Sequence, residues 1–200
     1  MSEPPFEASV PPKFPPRVET PPLILRRYAE VDAPVLLEAI SRERARLGDI
    51  LADPVLALRT AGDAGTLIER LSADWDASHQ FVIPLWHRAE GTLVGECYLG
   101  SFARDAREAE IGIFLLHSYE GRRLALEALG ACVGAARMTM GLHLLHYRCD
   151  RDNLQSCALA LRCGFSDTGE ALLTRIRRDG STVSVRHFTL DLLAGSGHPP

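Results

Sequence analysis

Residues 110–130 are the most informative part of the sequence and read EIGIFLLHSYEGRRLALEALG. The run at 110–116 is apolar after its first residue and predicts a β-strand. A turn follows, and the longest helical pattern of the chain then covers 121–140, where Gly141 is suited to end it. The side of this helix that we expect to be buried carries Leu124, Ala128, Ala131, Cys132, Ala135 and Met138.

The junction between this strand and this helix is a candidate phosphate site. The first amides of a helix have no partner within it and carry partial positive charge, which favours an anion such as a diphosphate. Arg122 and Arg123 add two guanidinium groups at the same place. Glycine and arginine are also common in ordinary strand–helix turns, so the junction alone does not identify a function.

The pattern continues on both sides of this window. Downstream we expect a strand at 142–149, a short helix from Asn153 to Cys163, and two strands at 168–177 and 182–191. The Asp179-Gly180 pair between the last two strands is a strong hairpin signal. Upstream we expect a strand at 23–27, a helix that begins at Asp32, helical stretches over 42–60 and 64–76, and strands at 81–86 and 93–102.

These elements predict an α+β (mixed α/β) fold with a single domain. Its centre is a mostly antiparallel, twisted sheet of about seven strands flanked by helices. The domain covers 23–191. Residues 1–22 hold eight of the thirteen prolines and predict an extended or disordered arm that builds no strand ladder, and 192–200 predict a flexible tail.

Composition excludes several classes of protein. The 200 residues are 46% hydrophobic and 24% charged, which is typical of a globular domain. A net charge of −4 argues against a broad nucleic-acid-binding surface. No apolar run reaches the roughly 18 residues of a membrane helix, and the first residues do not resemble a secretory signal. We therefore expect a cytoplasmic protein without a nucleic-acid or membrane partner.

The cysteines and histidines do not predict a metal site. The five cysteines form an odd set without CxxC spacing, so we interpret them as reduced packing residues. Strand alternation puts His143 and Cys149 on one face of the strand at 142–149 and His146 on the other, where they cannot converge.

The helix after Asn153 adds a second motif, Asn153-x-x-Ser156, which closes with Gly164-Phe165. Here the sequence resembles the GNAT superfamily of acyl-CoA-dependent N-acyltransferases, especially its ribosomal-protein alanine N-acetyltransferase branch. The resemblance spans roughly 23–191. It rests on four matches in the expected order, which are Leu23-Ile24-Leu25-Arg26 with Asp32, Glu110-Ile111-Gly112, Gly121 through Glu127-Ala128, and Asn153-x-x-Ser156 with Gly164-Phe165.

The resemblance implies acetyl-CoA as co-substrate, no metal, and a set of residues that bind the cofactor. The family's pyrophosphate loop, Arg/Gln-x-x-Gly-x-Gly/Ala, falls on 120–125, where Glu120 and Arg123 depart from the pattern. The strand before the loop would pair its backbone with the pantetheine arm. The cofactor-binding residues implied in this way are Phe114, Leu115, Leu116, Gly121, Arg122, Arg123, Leu124, Ala125 and Asn153.

The resemblance also implies two catalytic residues. Glu110 would accept the proton of the acceptor amine through water, although it is equally suited to be a solvated or ion-paired strand residue, for example with Arg107. Many family members use a tyrosine four residues before the Gly-Phe pair to stabilise the leaving thiolate, and here Ala160 occupies that position. Ser156 is the implied substitute, and its alternative role is to satisfy amides at the helix start.

Three functions follow as hypotheses. The first is an acetyltransferase that modifies a protein N-terminus by direct attack of the amine, without an acyl-enzyme. The second keeps the fold but acts on a small amine. The third is a non-catalytic module that binds acyl-CoA or a partner protein. A homodimer is plausible by analogy. Four aromatic residues either line an acceptor pocket or belong to the core, and they are Tyr28, Trp75, Phe81 and Trp86.

Overall fold

The computed structural model describes residues 12–103 and 107–194. Over these residues the chain forms eight strands and five α-helices. The strands are Arg17–Glu19 (β1), Leu23–Arg26 (β2), Phe81–His87 (β3), Leu93–Gly100 (β4), Glu108–Leu115 (β5), Leu144–Asp150 (β6), Ser166–Ile176 (β7) and Thr182–Asp191 (β8). The helices are Ala33–Glu43 (α1), Asp53–Leu56 (α2), Ala61–Asp76 (α3), Leu124–Thr139 (α4) and Leu154–Arg162 (α5).

The strands form one sheet in the order β1-β2-β3-β4-β5-β6-β8-β7. Each neighbouring pair is antiparallel except β5 and β6, which are parallel. The predicted mixed fold, with a mostly antiparallel sheet between helices, is therefore confirmed. The sheet has one strand more than expected because β1 joins its edge.

The parallel pair at the centre of the sheet is short. Pairing joins 108–110 of β5 to 144–146 of β6 and then stops, although both strands continue. Residues 111–115 and 147–150 are thus not paired with each other. We call the gap between these two segments the split.

Helices cover both faces of the sheet. On one face α4 and α5 close the larger core, to which β5 contributes Ala109, Ile111 and Leu115. On the other face α1 and α3 pack over β2, β3 and β4 around Leu36 and Ile40. Because successive strand residues alternate, the even-numbered residues of β5 belong to this second face.

The proline-rich segment is partly integrated into the domain, and the prediction that it builds no ladder is wrong for Arg17–Glu19. These three residues lie in a gap between prolines and keep their backbone donors, so they pair with β2 at the sheet edge. Phe14 is buried with its ring centroid 5.6 Å from that of Trp75. Residues 1–11 of the predicted arm and 195–200 of the predicted tail lie outside the described residues, whereas Leu192 is buried.

Two helix predictions need correction. The helical stretch expected over 42–60 is interrupted, since α1 ends at Glu43 and only the four residues of α2 are helical after it. Met138, expected on the buried side of α4, is 84% exposed, and Leu129 and Ala136 are buried instead. No helix among the described residues combines the length and the apolar character needed to cross a membrane.

Candidate active site

The turn between β5 and α4 presents a row of free backbone amides. Among the described residues, the amides at 121–125 donate no hydrogen bond, because α4 begins only at Leu124. The backbone φ is +75° at Gly121 and +62° at Arg123, so the turn passes twice through the left-handed region. The 16-residue helix adds the positive end of its dipole at the same place. The turn can therefore hold a diphosphate.

Arg123 has the conformation for which the family pattern has glycine. A residue with a Cβ pays about 1–2 kcal/mol for a left-handed φ, and Arg123 is the N-cap of α4 without a side-chain capping bond. Its side chain is exposed. The guanidinium of Arg122 lies 5.2 Å from the ring centroid of Tyr119 at the edge of the turn.

The second departure from the family pattern, Glu120, is compensated within the protein. Its carboxylate accepts from Arg46 Nη1 at 2.8 Å and lies 3.4 Å from Nδ1 of His117. A second nitrogen of Arg46 donates to the carbonyl oxygen of Leu115 at 2.6 Å. One guanidinium from the segment after α1, which also pairs with Glu43, therefore binds both Glu120 and the carboxyl end of β5.

The backbone of β5 has a defined orientation at the split. The amide of Leu116 donates to Val94 on β4, and the carbonyl oxygen of Phe114 lies against Gly95, where an added Cβ would be 2.2 Å from it. Because backbone groups alternate along a strand, those of Ile113 and Leu115 face the split. The predicted pairing of Phe114 and Leu116 with a cofactor is therefore corrected, since their backbone is turned to β4.

Glu110 lies at the last paired position before the split, opposite His146. Its carboxylate accepts from Arg148 of β6 at 2.5 Å, and its side chain is 29% exposed. The ion-paired alternative for this residue is thus present, with Arg148 as a partner.

A chain of hydrogen bonds runs beside Glu110. His146 Nε2 lies 2.9 Å from Glu108, and His146 Nδ1 lies 3.0 Å from Nε2 of His187. Burial lowers the pKa of His187, and the neighbouring His146 and Arg148 lower it further. Among the described residues, no group of three or more His, Cys, Asp or Glu side chains has an arrangement that could hold a metal ion.

A buried tyrosine lies within hydrogen-bond distance of Ser156. Asn153 caps α5, because its side-chain oxygen accepts from the amide of Ser156 at 3.0 Å. The Ser156 hydroxyl lies 2.7 Å from the hydroxyl of Tyr147 on β6, and burial raises the pKa of this tyrosine. No sequence pattern placed Tyr147 in the site. Its neutral hydroxyl can donate to Ser156 and leave the serine proton free for another acceptor.

A second feature missed from the sequence is a carboxylate on β4. Glu96 accepts a short hydrogen bond from the hydroxyl of Tyr28. Burial raises the pKa of Glu96 to about 7, although the bond from Tyr28 opposes this. The signal in the sequence was a single acidic residue in the otherwise apolar strand LVGECYLG.

The other aromatic residues that we considered for a pocket belong to the core. The rings of Trp75 and Phe81 meet edge to face at 5.1 Å. Trp86 is buried beneath the guanidinium of Arg26, which lies 4.4 Å from its ring centroid. Of these four aromatic residues, only Tyr28 is described with a side-chain hydrogen bond to the second face of the sheet, where its hydroxyl donates to Glu96.

Two segments meet across the carboxyl ends of β5 and β6. Arg175 of β7 holds Asp150, at the end of β6, through two contacts of 2.7 Å, and it also donates to the carbonyl oxygen of Asp49. Arg178 donates through its amide to Asp49 at 2.8 Å and through its side chain to Gly48 and Asp53. We call the contact between 48–53 and 175–178 the bridge.

Comparison with known proteins identifies the family. The model of the acetyltransferase (GNAT) domain matches residues 22–166 of this chain. The chain belongs to the GNAT acetyltransferase family. The recognition made from the sequence is thereby confirmed, and so are the predicted enzyme class, an acyl-CoA-dependent N-acetyltransferase, and its co-substrate, acetyl-CoA. A search of curated protein sequences finds no match.

Solved structures share the GNAT fold at low sequence identity. The microcin C7 self-immunity acetyltransferase MccE, in complex with acetyl-CoA and AMP, superposes with a TM-score of 0.76 at 18% identity, over 86% of this chain and 93% of its own. RimL, a ribosomal L7/L12 α-N-protein acetyltransferase in complex with CoA, gives 0.77 at 17% identity over 86% and 95%. The ribosomal-protein-S5-alanine acetyltransferase of Vibrio fischeri gives 0.76 at 16% identity over 89% and 97%.

Proposed function

We propose that this GNAT protein transfers the acetyl group of acetyl-CoA to the α-amine of a protein N-terminus. The observation that carries the proposal is the continuity of two binding features. The free amides at 121–125 lie where β5 turns into α4, and the split begins along the same strand. A diphosphate at the turn therefore directs the attached pantetheine arm into the split.

The chain offers distinct groups to each part of acetyl-CoA. The turn at 121–125 and Arg122 bind the diphosphate, since guanidinium groups bind phosphate oxygens in pairs. The backbone of Ile113, and the amide of Leu115, pair with the pantetheine arm. Asn153 lies at the start of α5 on the other side of the split, where it also has its capping role.

The reaction is a direct displacement. The acceptor's ammonium loses one proton to a base, its nitrogen lone pair forms a bond to the thioester carbon, and the carbon–sulfur bond breaks. The CoA thiolate then takes the second amine proton and leaves as CoA thiol. We assign Ser156 to donate a hydrogen bond to the developing thiolate. Because the Glu110 carboxylate is already paired with Arg148, we assign Glu110 to hydrogen-bond the acceptor amine through water, in place of the proton-accepting role that the resemblance implied.

An acyl-enzyme is disfavoured by the state of the nearby thiols. Cys149 lies on β6 with its sulfur 3.5 Å from that of Cys157. Burial raises the pKa of Cys149 to about 12 and that of Cys163 to about 11. A thiol with so high a pKa supplies almost no thiolate near neutral pH, and the thiolate is the reactive form.

An α-amine is the acceptor whose deprotonation costs least. At pH 7 an α-amine with a pKa near 8 requires only about 1.4 kcal/mol, whereas a lysine amine near 10.4 requires about 4.6 kcal/mol. The likeness to RimL and to the ribosomal-protein-S5-alanine acetyltransferase supports the same choice. A homodimer and a cytoplasmic location stay predictions.

The bridge favours a second candidate, a small amine. It joins the segment after α1 to the β7–β8 hairpin across the ends of β5 and β6. A protein chain must pass beside the bridge or displace it, whereas a free amino acid or a polyamine need not. The chemistry at the split is the same for both acceptors.

The test measures binding and transfer separately. Calorimetric titration with acetyl-CoA should give saturable binding. Incubation with N-terminal peptides should then release CoA thiol and add one acetyl group to the α-amine, as located by mass spectrometry. Undetectable binding at millimolar acetyl-CoA rejects both enzyme functions. Binding without thiol release over peptides, amino acids and polyamines leaves the non-catalytic module.

A matched pair of variants tests the diphosphate site. Arg122→Ala should weaken acetyl-CoA binding about 5- to 10-fold and leave binding of acetyl-pantetheine, which lacks the diphosphate, unchanged. Arg137→Ala removes an exposed arginine from the other end of α4 and should change neither. Equal weakening of both ligands by Arg122→Ala excludes a phosphate contact.

A further inference from the structure

Glu96 is an acidic group in an apolar setting on the second face of the sheet. Its strand partners are Pro84 on β3 and Phe114 on β5. The side chains that α1 and α3 place on this face include Leu36, Ile40, Leu67 and Ile68. A carboxylate among such neighbours is held at an energetic disadvantage unless it is bound or protonated.

One polar group in this setting forms a hydrogen bond with Glu96. The hydroxyl of Tyr28, which is itself buried, donates to the carboxylate. Behind it Asp32 and Arg26 form a two-bond ion pair of 2.7 and 3.0 Å and satisfy each other. Tyr28 is a neutral donor, so the negative charge of Glu96 has no cation of its own among these contacts.

Several charged groups of the neighbouring elements have partners of their own. On α1, Glu43 is held by the amide of His117 at 3.0 Å and by Arg46 at 2.5 Å. On α3, Asp76 pairs with Arg27, and on β5 Glu110 pairs with Arg148. Among the described residues, Glu96 accepts from the Tyr28 hydroxyl and lies opposite Phe114 of the neighbouring strand.

Register places Glu96 beside the reacting end of the split. Residues 110, 112 and 114 of β5 lie on the same face and are opposite Gly100, Tyr98 and Glu96 of β4. The surface of the sheet at Gly112 is open, because a Cβ added there would meet no atom within 4 Å. An acceptor that enters over Gly112, toward the pantetheine arm that we propose pairs with Ile113, therefore comes near Glu96.

We propose that Glu96, positioned by Tyr28, is the group that takes up the first proton of the acceptor's ammonium, while Glu110 with Arg148 orients the acceptor. The inference rests on the proposed acetyl transfer. The ammonium N–H bond breaks toward the carboxylate, which becomes a carboxylic acid, and the freed nitrogen lone pair attacks the thioester carbon. The acid returns its proton to solvent, and the CoA thiolate takes the second amine proton. The raised pKa of Glu96 suits this exchange near neutral pH.

The test compares pH profiles of kcat/KM for one peptide acceptor. Glu96→Gln keeps the shape and can accept from Tyr28 but cannot take a proton. It should lower kcat/KM about 100-fold or more at pH 7, with a smaller loss above pH 9, where the amine is already neutral, and with an unchanged Kd for acetyl-CoA. Glu69→Gln, an exposed position on α3, is the control and should be silent.

Tyr28→Phe distinguishes a catalytic role from a structural one. Losing this donor removes a bond that lowers the pKa of Glu96, so the acid limb of the profile should move to higher pH. We expect kcat/KM to fall about tenfold at pH 6 and to stay near the wild-type value at pH 9. The acceptor amine is the same for the wild type and the variant, so its own ionisation cannot cause the shift of the acid limb.

Two outcomes overturn the inference. One is a Glu96→Gln enzyme with the wild-type profile. The other is loss of the acid limb in Glu110→Gln with its retention in Glu96→Gln. Both outcomes require an active wild-type enzyme, so they are distinct from failure of the proposed function, in which the wild-type protein transfers no acetyl group to any acceptor.

Discussion

Arg123 combines an unfavourable backbone conformation with a position in the turn that we propose binds the diphosphate. We predict that Arg123→Gly stabilises the protein by about 1 kcal/mol, because glycine takes a left-handed φ without steric conflict. The same change should tighten acetyl-CoA binding, since phosphate oxygens can approach a backbone without a Cβ. Thermal unfolding and calorimetric titration measure the two effects.

The control for this variant is Arg123→Ala, which removes the charge but keeps the Cβ. It should keep the strain and bind acetyl-CoA more weakly than Arg123→Gly. If the two variants bind alike, the conformation of residue 123 does not govern the site. If both bind much more weakly than the wild type, the guanidinium itself holds the phosphate.

Glu96 also has a consequence for stability, independent of its proposed role in catalysis. Its pKa rises from 4.5 to about 7 on folding, so it destabilises the folded state as pH increases through that interval. We predict that Glu96→Gln raises the free energy of unfolding by about 1–3 kcal/mol at pH 8 and by almost nothing at pH 4.5. Denaturant unfolding at the two pH values measures this difference, and an equal effect at both would contradict a pKa shift.

At the scale of elements, β6 and α5 form a relay of two hydroxyls. We predict that Ser156→Ala lowers kcat about 10- to 100-fold with little effect on the KM for acetyl-CoA. Tyr147→Phe should lower kcat less, because its hydroxyl acts through Ser156 at 2.7 Å. The double variant should be no slower than Ser156→Ala alone. A further loss in the double variant would mean that Tyr147 contacts the thiolate independently.

The sequence predicted most of these elements because their patterns are local. The apolar run at 110–116, the cap at Asn153 and the Asp179-Gly180 turn each depend on residues close together in the chain. The failures involve tertiary context. Arg17–Glu19 forms a strand only because β2 offers an edge, and the partners of Glu96 and Glu120, Tyr28 and Arg46, are distant in sequence.

The predictions of site residues also succeed where the pattern is local and fail where tertiary contacts decide. The turn at 121–125 follows from one motif, and the structure gives it the free amides that the motif implies. The choice between Phe114 and Ile113 for backbone pairing depends on which edge of β5 is already occupied by β4, and no local pattern contains that information. The assignment of Ser156 gained support only when its partner Tyr147 was brought beside it by the fold.

At the scale of the whole molecule, the bridge lies beside the route that we propose for the acceptor. We predict that Arg178→Ala raises kcat/KM for peptide acceptors about 3- to 10-fold relative to a small amine, because it removes the contacts to Gly48 and Asp53. High salt should also raise kcat/KM for peptides relative to the small amine, since salt screens exposed ion pairs. The ratio of the two kcat/KM values, measured at several salt concentrations, tests this.

Arg42→Ala is the control for the bridge, because Arg42 forms an exposed ion pair with Glu38 within α1. It should leave the ratio of the two kcat/KM values unchanged. If Arg178→Ala alters both acceptors equally, the bridge supports the fold and does not select the substrate.

The three-residue parallel junction between β5 and β6 divides the molecule into two plates, each continuous in the chain. One plate contains β1 to β5 and the other β6 to β8, and α4 is the covalent link between them. Because only three residue pairs join the plates, their seam is a place where sub-global breathing can occur. A thioester bound along the seam would contact both plates at once, so ligand binding should slow hydrogen exchange on strands that the ligand never touches.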